Sequence, residues 1–87
     1  MINNNSDLYA VLDELVSVLA ELGASELVSA LETSLGISSL PGEVLGEVRI
    51  RLIRVRESPF FENSTVQSKV SPCIKYIDRV LDSHSSP

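Results

Sequence analysis

The sequence predicts an all-α fold, a compact four-helix bundle whose fourth helix is kinked or split at Pro72, and three observations carry that prediction. Apolar residues recur at three- and four-residue spacings in four separate segments. Cap and stop residues (Asn5, Ser6, Gly23, Ser25, Gly36, Pro59, Ser64) punctuate those segments. The one stretch that alternates like a strand has no second alternating segment to pair with. The 87 residues make one domain, 1–87, with 1–5 and 84–87 expected to be flexible. Hydrophobic residues at 44 % and charged residues at 22 % fit a folded domain rather than a disordered acidic tail. A domain this small buries only about 60 % of the surface of its unfolded chain, so a partner or a second copy would add to its core.

The first helix runs from Asp7 to Leu22, where Leu8, Val11, Leu12, Leu15, Val18, Leu19 and Leu22 share one broad face. Asn5 or Ser6 can accept from its free N–H groups, Asp7 suits the positive end of the helix dipole, and Gly23 supplies the left-handed stop. Ser25 offers the next cap. Leu27, Val28, Leu31 and Leu35 then form the stripe of a short second helix that ends at Gly36, and the tight link predicts an αα-hairpin.

Ile37–Gly42 is a connection, with Pro41 near the first turn of the third element. Val48-Arg49-Ile50-Arg51-Leu52 alternates like a strand, yet Val44, Leu45, Val48, Leu52 and Val55 share one helical face. Helix is the assignment, which leaves Ile50 and Ile53 off the core stripe. Ser58-Pro59 ends it, and Phe60-Phe61-Glu62 makes a turn. Ser64-Thr65-Val66-Gln67 matches a capping box for the fourth helix, whose stripe is Val66, Val70, Cys73, Ile74, Ile77, Val80 and Leu81, reaching about Ser83. Pro72 removes one backbone bond, so a kink or a break with Ser71 as a new cap is expected.

Charge is divided along the chain. Residues 1–47 hold eight acids (Asp7, Asp13, Glu14, Glu21, Glu26, Glu32, Glu43, Glu47) and no lysine or arginine, a charge of −8. Residues 48–87 hold seven bases against four acids, +3, for a net −5. In the plain account the two halves pair across exposed grooves, with Arg49, Arg54 and Arg56 meeting the acids of the first two helices. Asp7, Glu14 and Glu21 repeat every seven residues, a carboxylate stripe that is either a solvated face or a surface that steers a basic partner. Tyr9 is a candidate aromatic anchor, or a tyrosine at the core edge. Phe60 and Phe61 either plug the end of the bundle or form an aromatic knob for a partner.

Arg49, Arg51, Arg54 and Arg56 are the only basic cluster, and a helix spreads them around its circumference. With net charge −5 and no interleaved aromatics, they argue against DNA or RNA. A clamp on the phosphates of a small ligand is the narrower use of the same side chains.

Catalytic and metal chemistry find little support. The one histidine, His84, sits in the tail, and the one cysteine, Cys73, lies on an apolar stripe. Asp13 and Glu14 point about 100° apart on a helix, which suits neither acid–base work nor metal binding. No P-loop, HxxxH or ExxH pattern occurs. The expectation is a non-enzyme with no cofactor and no metal. No apolar run approaches the ~20 residues of a membrane span. A polar start without lysine or arginine and a single cysteine fit a mature, cytoplasmic chain.

Asp7-Leu8-Tyr9 leading into Leu12-Asp13-Glu14-Leu15-Val16-Ser17-Val18-Leu19-Ala20-Glu21-Leu22-Gly23, followed at once by a second short acidic helix, resembles small bacterial immunity proteins. The likeness covers about 40 residues and lies in size, acidity and this opening hairpin; the four arginines of the third helix depart from it. It implies an inhibitor that binds a cognate protein toxin, often a basic nuclease, one to one. The partner-binding candidates are Asp7, Tyr9, Asp13, Glu14, Glu21, Glu26, Phe60 and Phe61. Two alternatives stand beside it: a homo-oligomeric structural or adaptor bundle, for which Val16 and Ile53 lie outside the narrow stripes, and a binder of a phosphorylated small ligand through the four arginines.

Overall fold

A computed structural model of the chain describes residues 2–36 and 41–85. Four helices occupy them: α1 Asn5–Glu21, α2 Ser25–Gly36, α3 Pro41–Arg56 and α4 Ser64–Ser85, with one 3₁₀ turn, η1, at Pro59–Glu62. Each helix packs on its sequence neighbours, and α4 closes the ring against α1. The radius of gyration is 12.3 Å, close to the roughly 12 Å expected for a folded chain of this length. No strand occurs among the described residues. Expectations for Ile37–Leu40, the side chain of His84 and the final residues Ser86 and Pro87 fall outside the described residues.

The core comes from the predicted stripes. Leu8, Leu12, Leu15 and Leu19 of α1 are fully buried, and so are Val48, Leu52 and Val55 of α3 and Val66, Val70, Cys73 and Ile77 of α4. Burial of the whole Val44, Leu45, Val48, Leu52, Val55 set decides the strand-or-helix question at 48–56, because only a helix puts them on one side. Ile50 is 47 % exposed, as its off-stripe position requires. Gly23 adopts φ +82, and the Gly23 and Ala24 N–H groups donate to the Ala20 and Leu19 carbonyls, the paired bonds of a Schellman stop.

Two cap assignments are corrected. The cap of α1 is Asn4, in extended conformation, whose Oδ1 accepts from the Asp7 N–H at 2.8 Å; Asn5 is the first helical residue and its Oδ1 accepts from the Tyr76 hydroxyl at 2.7 Å. Asn63 rather than Ser64 caps α4, its Oδ1 accepting from the Thr65 and Val66 N–H groups. Asparagine caps as well as serine, and the earlier start satisfies two orphan donors with one side chain. Of the two outcomes expected at Pro72, the break is excluded: α4 runs on through Pro72 to Ser85, with no new cap at Ser71. Packing of α4 against both α1 and α3 holds the helix across the bond that proline cannot make. At the other end of the chain Ile2 is buried at 5 % exposure, so the segment leading into α1 is anchored in the core.

Candidate surfaces on the bundle

Asp7, Glu14 and Glu21 share a flank of α1, but two of the three have intramolecular duties. Asp7 accepts from the Asn3 N–H at 3.1 Å and closes the first turn of α1. Glu14 accepts from the Lys69 ammonium of α4 at 2.6 Å. Only Glu21 leaves the stripe without a partner among the described residues. The remaining exposed acids of the first two helices, Asp13, Glu26 and Glu32, have none either.

Lys69 apart, the bases do not turn toward the acids of α1 and α2 in the way a simple pairing of halves requires. Arg49 binds Asp78 of α4, within the basic half. Arg51 approaches Glu47 at 3.9 Å and donates from Nε to the Ser34 hydroxyl at 3.3 Å. Ser34 is fully buried, and its own hydroxyl donates to the Ala30 carbonyl, so it locks α2 onto α3. Arg54 and Arg56 are exposed. The four arginines therefore diverge, Arg49 toward α4 and Arg51 toward α2, and do not converge on one phosphate.

At the turn between α1 and α2, a groove of about 460 Å³ is lined by Gly23, Ala24, Ser25, Glu26, Leu27, Ser58 and Phe60. Two sequence-selected residues from distant parts of the chain, Glu26 and Phe60, meet here. Phe60 reaches the groove because Pro59 opens a 3₁₀ turn whose residues project from the end of α3. Ser58 fixes that departure by donating its hydroxyl to the Val55 carbonyl at 2.6 Å. Phe61 is half-buried against the core. Leu22, 39 % exposed, stands beside Gly23 at this end. Tyr9, also 39 % exposed, lies at the other end of α1, roughly 20 Å of helix away, and belongs to a different surface.

Val16 and Ile53 are half-buried and pack against the core. Burial pushes the Cys73 thiol up from 9.0 to about 12, against a smaller opposing effect of the Lys69 charge, so the sulfur stays protonated and unreactive at neutral pH. Among the described residues no three His, Cys, Asp or Glu side chains converge as a metal site needs, and no helix is long and apolar enough to cross a membrane. Tyr76, Lys75 and Ile2 were not singled out by sequence reasoning, yet they line a second recess of about 490 Å³ with Pro72 and Arg79. Tyr76 lies at the margin of the α4 stripe, and its hydrogen bond to Asn5 joins α4 to the start of α1, which periodicity does not register.

The chain matches no protein-family model, no curated protein and no solved structure.

Proposed function

We propose that this chain is a non-enzymatic protein-binding module of the immunity or antitoxin type, which masks a basic protein with the acidic end formed by α1, α2 and η1. The observation that carries the reading is the groove at the α1–α2 turn, which Glu26 lines together with the apolar side chains of Leu27 and Phe60. Glu21 and Leu22 flank the same turn, and neither α1 nor α2 has a lysine or arginine to compete for a basic partner. A lysine or arginine of the partner would lay its aliphatic stem on Phe60 and pair its charge with Glu26, one desolvated anchor in a field of exposed acids. Asp13, Glu21 and Glu32 extend that field and speed encounter, while the groove supplies affinity. The likeness of the opening hairpin to bacterial immunity proteins makes a cognate toxin the natural partner and the cytoplasm of the producing cell its place of action.

Gentle capture of the full chain from the cells that make it, followed by native mass spectrometry, tests this. The expected species is a one-to-one complex with a basic protein, lost in the Glu21→Gln/Glu26→Gln variant. Recovery of self-copies alone, or of a complex indifferent to that variant, contradicts it.

A further inference from the structure

The end of the bundle opposite the acidic groove has a different character. Ile2, Pro72 and Tyr76 form an apolar recess of about 490 Å³, and Lys75 and Arg79 stand on its α4 side. Ile2 and Tyr76 are 5 % and 8 % exposed, so the floor is held in place by the core. The Tyr76 ring is further fixed by its hydroxyl, which donates to Asn5 Oδ1.

The Arg79 side chain is exposed, and its guanidinium sits 5.6 Å from the centre of the Tyr76 ring, which holds the cation at the rim of the recess. Lys75 is exposed and has no ion-pair partner among the described residues. The two cations are four residues apart on α4, about 5–6 Å between Cβ atoms, close enough to hold one anion together. An apolar cavity with a few convergent charged groups is the usual form of a small-molecule site.

We infer that this recess binds a small monocarboxylate with an apolar body, its carboxylate held by Arg79 and Lys75 and its body laid over Tyr76, Pro72 and Ile2. Arginine presents a planar fork that matches a carboxylate, and the lysine adds a second charge without geometric demand. A single negative charge suits a chain whose net charge is −5, because a dianion would meet stronger repulsion from the rest of the molecule. The site is separate from the acidic groove and stands whether or not the α1–α2 end binds a protein.

Titration of the full chain with sodium octanoate, followed by NMR at the Ile2 methyl and Tyr76 ring signals, tests the site, with n-octanol as the uncharged comparison. Octanoate is expected to shift both sets of signals saturably and to bind at least about tenfold more tightly than octanol. The Lys75→Gln/Arg79→Gln variant, which changes only exposed side chains, should lose that tenfold preference while keeping the spectrum of the folded chain. Equal binding of octanol and octanoate, an unchanged preference in the variant, or the absence of a saturable shift at Ile2 and Tyr76 would each overturn the assignment.

Discussion

The α1–α2 hairpin and the α3–α4 pair bury similar stripes but treat charge in opposite ways. The hairpin carries acids only, and Asp13, Glu21, Glu26 and Glu32 face solvent. The α3–α4 pair holds every base of the chain and ties Arg49 to Asp78 within itself. Lys69 with Glu14 reaches across, joining α4 to α1. Within the hairpin α2 is the shallower helix: among its described residues only Leu31 and Ser34 are fully buried, while Leu27, Val28 and Leu35 are half-buried. The difference separates two duties, with α3, α4 and the inner face of α1 stabilising the bundle while the outer hairpin presents an uncompensated surface.

Truncation in the core is the harshest test of that division. Leu52→Ala, in the fully buried centre of α3, should cost about 2–5 kcal/mol of unfolding free energy in urea. Leu27→Ala, half-buried on α2, should cost less than half as much; equal costs would mean that the hairpin is as deeply committed to the core. Alkaline pH comes next. The Cys73 thiol is held at about 12 in the fold against 9.0 for an ordinary thiol, so its contribution to stability is complete below pH 9 and declines as pH rises from 9 toward 12. Melting curves of the wild type should fall more steeply over that range than those of Cys73→Ala.

Loss of a helix cap should be a milder perturbation. Asn63→Ala removes the acceptor of two N–H groups and should destabilise by about 1 kcal/mol, whereas Ser64→Ala should do almost nothing. The smallest effect belongs to Asp78→Asn. The Arg49–Asp78 pair is more than a third exposed on both sides, and its loss should stay within about 1 kcal/mol and shrink further in high salt.

Much of the architecture was legible because helices are local. Three- and four-residue spacing selected every fully buried leucine and valine of α1, α3 and α4, and Gly23 marked its turn unaided. Both shifted caps show where local reasoning stops. The Asn5 side chain accepts from Tyr76, 71 residues later, a pairing that no window of sequence contains. The candidate surface was legible in part for the same reason. Acidity of the hairpin could be counted, but the employment of Asp7 and Glu14 and the meeting of Glu26 with Phe60 depend on which helices become neighbours. Divergence of the four arginines was foreseen from the helical wheel, while the choice of Asp78 for Arg49 was not.

On the proposed function, the unpaired acids of the hairpin meet a basic protein. Stopped-flow association of the captured partner, measured against ionic strength for the wild type and for Asp13→Asn/Glu21→Gln/Glu26→Gln/Glu32→Gln, tests it most directly. A steep salt dependence in the wild type and an on-rate lowered by about tenfold or more at low salt in the variant are the predicted results. Identical rates with identical salt dependence would contradict it and return the hairpin to the status of a solvated face.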